Sequence, residues 1–495
     1  MQSNRKLLLT VLMLTLLAAT AAPASSWTLP ALVNDTAHDD LLEGYGTTPL
    51  LQGPDGDLHV VYHADLVPGD SSNREVYYVR FDGSWSEPER LSFGDGVSHC
   101  PAMSIDDAGN IYVFWYDTRN SVYYDLYWNR FDAAAGEWVG EEALMVDSGV
   151  HYVHPVTLVD QQNNVHLFWS EIQPSLHYEI FHNTYQDGSW GTPEQITNAG
   201  TGWRTHIRAV LDDDGSIHIA WSDVINPPTE PWMVYYRHLS PSGQWGQPVE
   251  LGVGQAVDID LDNGYLYLIS NWPSSLPDGF FQLFYSVKDL GAADDDWIFK
   301  CRPVHLNDSY KNTKPTLEAG YDGMRLVWRR HLNDDNTIME TKIGPHGISS
   351  PRELSQDDGY YGGPRMTAGE DGTYHLVYSY SPDGAGGYDL YYMKDENPVS
   401  ARLPEQGAAV HALEGLYPSP VHGAATVGLN LPATSSVELA VYDLAGRRVS
   451  TIHSGSLSAG RHELPLDAAG LSSGVYLLNL RTDAGNETTR FVVER

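Results

Sequence analysis

The chain has 495 residues, of which 65 are Asp or Glu and 29 are Lys or Arg, so its formal net charge is −36. Because no basic cluster is present to replace phosphate counterions, this charge argues against nucleic-acid binding and is typical of a soluble protein outside the cell. Hydrophobic residues make up 42% of the chain and aromatic residues 11%, which is enough for a packed core.

The chain begins with the pattern of a secretory signal peptide. Arg5 and Lys6 precede an apolar run over residues 7–17, and the small residues Ala22-Pro-Ala24 follow. We therefore predict a signal peptide over residues 1–24 and export of the remainder. The apolar run is too short to anchor the chain in a membrane, and no other stretch reaches spanning length.

A unit of about fifty residues then recurs between Thr47 and Pro398. Each copy has a short apolar run, an Asp/Gly turn and an alternating strand that ends on an aromatic residue, as in residues 101–115 and 207–221. A third run follows, and then a fourth that is headed by a tryptophan such as Trp85 or Trp190. Four short strands per repeat are typical of a β-propeller blade, and seven copies predict an all-β, seven-bladed propeller over residues 25–398.

The two ends of this repeat region complement each other. The seventh copy lacks a fourth strand, whereas residues 27–33 carry the fourth-strand pattern ahead of the first copy. We therefore expect the N-terminal strand to complete the last blade and close the ring, which protects its edges. The fifth copy departs most from the pattern, with Asp258 and Asp260 in its first strand.

The residues just before each blade-opening position should converge around the axis at one face, here called the upper face. These positions, with the links beside them, supply our candidate ligand-binding residues, His99, His154, Trp203, Arg204, His206, Lys314 and Arg365. Cys100, His154 and His206 come from three adjacent copies and could hold zinc or copper. A polar, hydrogen-bonded channel mouth is the simpler interpretation, so we predict no metal and no cofactor. Calcium and zinc stay possible without a specific motif.

Acidic residues and histidines also recur from copy to copy. Asp65, Asp117, Glu171 and Asp223 follow the second strands, and Glu75, Asp125, Glu179 and Asp389 head the third strands. Paired carboxylates could serve a glycosidase, but their repetition favours structural bonds to loop N–H groups or to a neighbouring arginine. His59, His166, His218 and His375 share one register of the second strand and are interpreted as core residues.

Two further residue types bear on function. Trp203, Trp232, Tyr123, Tyr360 and Tyr361 exceed what the repeat requires and fall in upper-face loops, where aromatic rings can stack on sugars. Cys100 and Cys301 fall in non-adjacent copies, so we expect two free thiols even in an oxidising compartment.

The blade pattern over residues 27–398 resembles the sialidase-like superfamily of propellers, which includes some polysaccharide lyases. That family's Asp-box is not reproduced between third and fourth strands, since Ser104-Ile-Asp-Asp-Ala-Gly109 lies at a different turn, and its Arg-Ile-Pro segment is absent. Two functions stay open: binding of a glycan or surface protein without catalysis, which the missing motifs favour, and glycan cleavage by a glycosidase or lyase. No catalytic residue is assigned.

After a linker over residues 399–414, residues 415–495 form a small all-β unit with Gly-rich turns and no titratable cluster. Tyr417-Pro-Ser-Pro420, the segment over residues 441–449 and the terminal Arg490-Phe-Val-Val493 resemble the type IX secretion C-terminal sorting domain. This resemblance implies an Ig-like sandwich recognised by outer-membrane secretion machinery and a location outside the cell or on its surface. The Ig-like module of flagellar hook-capping proteins is the alternative.

Overall fold

The computed structural model describes residues 27–395 and 413–493, with gaps at 43–47, 147–148, 173–176, 198–201, 225–230, 274–280, 305–309, 321–322, 333–334, 346, 350, 356–358, 383, 385, 432–433, 444–446, 459 and 483–484. All regular secondary structure in these residues is β, so none of them forms a helix that could cross a membrane. The predicted signal peptide and linker lie outside the described residues.

The strands up to residue 395 form antiparallel meanders that repeat one plan. An N-terminal segment contributes β1 (Ala31–Leu32) and β2 (Asp39–Leu41). Meander one comprises β3 (Leu50–Gln52), β4 (Leu58–Val67), β5 (Asp70–Phe81) and β6 (Glu89–Arg90). Meander two comprises β7 (Ser98–Ile105), β8 (Ile111–Asp117), β9 (Asp125–Asp132), β10 (Glu137–Trp138) and β11 (Glu142–Met145). Meander three comprises β12 (His151–Val159), β13 (Val165–Ile172), β14 (Tyr178–Gln186), β15 (Ser189–Trp190) and β16 (Glu194–Gln195).

Meanders four to seven follow the same order. Meander four comprises β17 (Trp203–Leu211), β18 (Ile217–Val224), β19 (Met233–Leu239) and β20 (Val249–Val253), and meander five comprises β21 (Gln255–Asp262), β22 (Tyr265–Pro273), β23 (Phe281–Asp289) and β24 (Phe299–Pro303). Meander six comprises β25 (Lys311–Gly320), β26 (Gly323–Leu332), β27 (Asp335–Gly344), β28 (Gly347–Ile348) and β29 (Arg352–Glu353). Meander seven comprises β30 (Tyr360–Tyr361), β31 (Arg365–Ala368), β32 (Tyr374–Ser381) and β33 (Asp389–Lys394). Meanders three and four share one hydrogen-bonded sheet through a single parallel bridge between Tyr178 and Trp203.

The inner strands, β3, β7, β12, β17, β21, β25 and β31, surround a common space. Each contacts the next in this order, and β31 contacts β3. Residues from all of them line one cavity of about 360 Å³. Apolar side chains fill the space between neighbouring meanders, as where Val61 and Tyr78 of meander one pack with Val113 and Trp115 of meander two.

The N-terminal segment joins the last meander to the first. Ala31–Leu32 pairs antiparallel with Tyr391 and Tyr392 of β33, and Asp39–Leu41 pairs with β4. The carboxylate of Asp39 accepts hydrogen bonds from the backbone N–H groups of Gly69 (2.6 Å) and Tyr388 (3.1 Å), one on each side of the junction. The sequence indicated a pairing for residues 27–33 only, and the pairing of β2 with meander one is an additional contact.

A buried carboxyl makes this junction sensitive to pH. Asp40 is fully buried, and burial, with the charges of Asp389 and Asp39, raises its pKa to about 7 despite a hydrogen bond from Thr36. Because the folded-state pKa lies above the usual value, stability is greatest when Asp40 is protonated and is lost as pH rises through 7.

We expect Asp40→Asn to remove this part of the pH dependence. Between pH 6 and pH 8.5 the wild type should lose about 1–2 kcal/mol of unfolding free energy more than the variant does, as measured by urea unfolding. Asp187→Asn, at an exposed turn, is the control, and its unfolding free energy should change with pH as that of the wild type does. Parallel pH profiles for the wild type and Asp40→Asn would contradict the prediction.

The C-terminal unit has its own core. Its strands are β34 (Leu413–His422), β35 (Ala424–Leu431), β36 (Ser435–Asp443), β37 (Arg448–Leu457), β38 (Gly460–Asp467), β39 (Gly474–Thr482) and β40 (Gly485–Val493). They are ordered β37-β36-β39-β40-β34-β35-β38, with β34 bridging two antiparallel groups. Val427, Leu439, Leu478 and Phe491 from both groups meet in one buried cluster.

Candidate functional site

Four inner strands begin with a β-bulge that carries a polar or ionisable side chain. Cys100, His154, His206 and Lys314 have φ angles of 53°, 57°, 56° and 53°, and the pairing register of each strand shifts at that point. Non-glycine residues rarely adopt positive φ, and bulges redirect side chains out of the regular alternation. Strain of this kind concentrates at binding and active sites, which makes this end of the cavity the candidate site.

Imidazole and phenol rings from successive meanders form a continuous cluster at this end. We call His63, His99, Tyr116, His154 and His206 the histidine cluster. Ring centroids are 6.1 Å apart for His63 and His99, 4.2 Å for His99 and Tyr116, 6.2 Å for Tyr116 and His154, and 6.1 Å for His154 and His206. The structure therefore brings three predicted residues, His99, His154 and His206, into one site.

Sequence reasoning missed His63 and Tyr116. Both follow the aromatic residue that marks the second strand, Tyr62 in meander one and Trp115 in meander two. Alternation places the residue after a core aromatic on the other side of the strand. The register position was therefore visible in the sequence, although the convergence of the two side chains was not.

The four histidines are held in the neutral state. Burial lowers the pKa of His99 to about 3 and that of His154 to about 4, and it lowers the pKa of His63 and of His206 well below the usual value. After burial, the charge of Arg74 contributes most to the shift of His63, and His154 and then Lys314 to that of His206. A neutral imidazole offers one donor and one acceptor to a ligand.

Hydrogen bonds fix several members of the site. His154 Nδ1 lies 2.7 Å from Thr205 Oγ1, and the Tyr116 hydroxyl donates to Cys100 Sγ at 3.0 Å. Cys100 and Cys301 are both free thiols, as expected. Although Cys100, His154 and His206 lie at one mouth, no group of three or more His, Cys, Asp or Glu side chains in the described ranges could hold a metal ion.

Three further aromatic rings continue the histidine cluster from buried His206 toward the protein surface. His206 lies 5.7 Å from Trp232, Trp232 lies 6.4 Å from Trp203, and Tyr178 stacks on Trp203 at 5.5 Å with an interplanar angle of 18°. Tyr178, Trp203 and Trp232 are half-buried, so part of each ring faces solvent. Predicted residue Trp203 is thus at the centre of an aromatic platform. Tyr361, in contrast, is buried against Tyr378 and Tyr380.

Arg204 lies beside Trp203 at the start of β17, but its guanidinium is already engaged by carboxylates. Its guanidinium bonds Glu179 Oε1 at 2.8 Å and Asp223 Oδ2 at 3.1 Å, and only 12% of the side chain is exposed. Two carboxylates already balance its charge. We therefore assign Arg204 to the framework that holds meanders three and four together.

The repeated acids have structural partners, as the sequence indicated. Glu179 accepts a hydrogen bond from Thr197 Oγ1, whose oxygen in turn accepts from the N–H of Ile180. Ser92 repeats this arrangement with Glu75 and the N–H of Val76.

The second-strand histidines are also structural. They are buried and bond to a third-strand side chain: His59 to Tyr78 (2.7 Å), His166 to His182 (2.9 Å), His218 to Tyr236 (2.7 Å) and His375 to Tyr392 (2.8 Å). The prediction that they are core residues is confirmed.

Lys314 and Arg365 lie near each other beside Gly363. A Cβ on Gly363 would be 3.4 Å from Lys314 Cβ and 3.5 Å from Arg365 Nη1. Arg365 is buried and lines the cavity, and its Nη1 donates to the carbonyl of Pro364 at 2.9 Å. The site thus has cations on the side of meanders six and seven and aromatic rings on the side of meanders three and four.

Residues 415–494 match the family described as the secretion system C-terminal sorting domain. The chain therefore carries a sorting domain that directs it to the cell surface or the extracellular space and that interacts with secretion machinery. This confirms the prediction made from Tyr417-Pro-Ser-Pro420 and the motifs that follow it.

Among solved structures, the chain is similar to a polysaccharide lyase, the PL25 ulvan lyase, with 11% identity and a TM-score of 0.50 over 72% of this chain and 96% of the lyase. It is also similar to the Trypanosoma rangeli sialidase (11% identity, TM-score 0.46, 92% of this chain and 84% of the sialidase). A protein of unknown function from Dyadobacter fermentans matches with 9% identity and a TM-score of 0.48, over 75% of this chain and 99% of that protein. The similarity to the lyase shows the fold alone, and no curated protein matches the chain by sequence.

Proposed function

We propose that this protein is an exported seven-bladed β-propeller that binds an extracellular glycan through its upper face. In this proposal the meanders are the blades, and the N-terminal strand closes the ring by completing the last one. The cyclic contacts of the inner strands and the pairing of β1 with β33 support this arrangement.

The proposed domain organisation follows from the same elements. A signal peptide (1–24) precedes the propeller (25–398), a linker (399–414) and an Ig-like sandwich (415–495) that is the sorting domain. The single buried cluster of the C-terminal unit, built from two antiparallel groups, supports the sandwich.

The observation that carries the proposed function is the unbroken run of rings from the histidine cluster through Trp232 to Trp203 and Tyr178. Ligand sites are concave, rich in aromatic side chains and supplied with a few convergent polar groups. Half-exposed indole rings present flat apolar faces that suit the C–H face of a sugar, and neutral imidazoles can pair with its hydroxyl groups.

Catalytic cleavage, the alternative, has weaker support. A general base works best when its pKa lies near the working pH, whereas burial lowers the pKa of His99 to about 3 and that of His154 to about 4. Glu75 and Glu179, which could have formed part of an acid pair, are engaged in structural hydrogen bonds. Binding without turnover therefore fits the site better than hydrolysis or elimination.

We expect Trp203→Ala to weaken glycan binding about tenfold while leaving the fold intact, because it removes the central ring of the platform. A panel of neutral and anionic glycans would be scored for both binding and cleavage with the wild type and the variant. Trp245→Ala, at the opposite end of meander four, is the matched control and should bind like the wild type. Cleavage of any glycan that is lost in His154→Ala with the fold intact would replace the binding proposal by the enzymatic one.

A further inference from the structure

Aromatic rings occupy the same register position in three successive meanders. Tyr124, Tyr178 and Trp232 each come directly before the residue that pairs with the acid near the end of the second strand. All three rings are half-buried. Meander seven has Tyr388 at this position, and meanders one, five and six have no ring there. The aromatic platform formed by Tyr178, Trp203 and Trp232 is therefore part of a row that begins one meander earlier.

The first strand of the following meander adds a second ring at two of these junctions. His151 and Trp203 each lie three residues before the positive-φ residue at the bulge of their strand. The ring centroids of Tyr124 and His151 are 5.4 Å apart, and those of Tyr178 and Trp203 are 5.5 Å apart. The junction of meanders two and three thus repeats the ring pair of the platform, with an imidazole in place of the indole.

Tyr123 adds a further ring to this second pair. Its centroid lies 4.9 Å from that of His151, it is half-buried, and its neighbour Val122 is 82% exposed. The N–H of Tyr123 donates to Ser121 Oγ at 3.0 Å, and the N–H of Ser121 donates to the carbonyl of Thr118 at 3.3 Å, so the loop has a defined conformation. A partly exposed ring that is already ordered loses little conformational entropy on binding.

His151 adds a hydrogen-bond donor whose position is fixed. The backbone N–H of Tyr124 donates to His151 Nδ1 at 3.1 Å, so this nitrogen is the acceptor of the imidazole. Burial lowers the pKa of His151, which keeps the ring neutral at pH 7 with its proton on Nε2. The second ring pair therefore combines a flat ring face with one polar group, which is the combination that ligand sites use.

We propose that Tyr123, Tyr124 and His151 form a second sugar subsite, and that the ligand is an extended oligosaccharide chain that contacts this subsite and the platform together. The ring faces stack on sugar C–H groups, and His151 Nε2–H donates to a sugar oxygen. A single terminal sugar would occupy one junction only, whereas two equivalent ring pairs at successive junctions suit a chain of repeating units. This inference rests on the proposed function, because the platform is its first subsite.

The dependence of affinity on chain length tests the second subsite. The probes are cello-, xylo-, manno-, chito- and galacturono-oligosaccharides, each as the dimer and the hexamer, with binding measured by calorimetry. The wild type should bind the hexamer of its preferred series about tenfold more tightly than the dimer. Tyr123→Ala should reduce this ratio of affinities about fivefold, because it removes an exposed ring, whereas Tyr123→Phe keeps the ring and should keep most of the ratio.

Two further variants complete the comparison. His151→Phe keeps a ring beside Tyr124, removes the Nε2–H donor and should reduce the ratio about threefold. Phe93→Ala is the matched control, because Phe93 is a 63% exposed aromatic residue in the link between meanders one and two, where the ring pair is absent. It should leave the ratio unchanged. Thermal unfolding of each variant separates a lost subsite from a lost fold.

The outcomes separate this inference from the proposed function. A wild type that binds dimer and hexamer equally, or a ratio that Tyr123→Ala and His151→Phe both leave unchanged, overturns the second subsite and leaves binding at the platform standing. An equal loss in Phe93→Ala and Tyr123→Ala also overturns it, since any exposed ring would then contribute. Binding of none of the hexamers contradicts the proposed function, and the inference with it.

Discussion

Replacing Trp27 by alanine should lower the free energy of unfolding by about 3–5 kcal/mol. Trp27 is 5% exposed and packs with Tyr374, Tyr378 and Met393 of meander seven. Its indole Nε1 donates to Glu340 Oε2 at 2.8 Å, and its backbone bridges Asp395. The change would therefore leave both a cavity and a buried carboxylate with one donor fewer, at the place where the first and last parts of the region meet.

Leu29→Ala is the matched control, since Leu29 lies two residues away in the same segment but is 72% exposed. Urea unfolding, monitored by the far-UV circular dichroism of the backbone, would compare both variants with the wild type. Leu29→Ala should stay within about 0.5 kcal/mol of the wild type. If the two variants unfold alike, the packing of Trp27 against meander seven does not stabilise the protein.

The order of strands in residues 27–395 could be predicted from the repeat, because apolar alternation and Asp/Gly turns recur in each meander. The predicted N-terminal strand pairs with β33 for the same reason. β2 was missed because Asp39–Leu41 contains two acidic residues and little apolar pattern. Its stability comes from long-range bonds, such as those from Gly69 and Tyr388 to Asp39, that no local pattern reveals.

The candidate site also has a part that the repeat predicted and a part that depends on contacts between meanders. Positions before the blade openings were found because they recur, so Cys100, His154, His206 and Lys314 were predicted together, and they prove to share positive φ. The role of Arg204 could not be read from the sequence, because Glu179 lies 25 residues away and reaches it only through the packing of β14 beside β17. A periodic pattern gives which side of a strand a residue occupies, whereas the identity of its partner depends on the neighbouring meander.

Arg204→Met should destabilise the protein by about 3–5 kcal/mol at pH 8, because it leaves two carboxylates without their shared cation in a mostly buried position. Arg80→Met is the control. Its guanidinium also pairs with two carboxylates, Asp55 and Asp57, but its side chain is 44% exposed, and exposed pairs contribute about 0–1 kcal/mol. The comparison isolates burial as the cause, since both arginines have two acidic partners.

The pH dependence of the Arg204→Met variant gives a second measure of the same interaction. In the wild type, burial raises the pKa of Asp223, and the charge of Arg204 opposes that shift. Without Arg204 the folded-state pKa of Asp223 should rise further above its unfolded value, so the stability of the variant should fall as pH increases through that raised pKa. Urea unfolding should therefore show a deficit relative to the wild type that is largest at pH 8 and smaller by about 1 kcal/mol or more at pH 5. A deficit that is equal at both pH values would mean that Arg204 stabilises the protein through packing of its side chain and not through its charge.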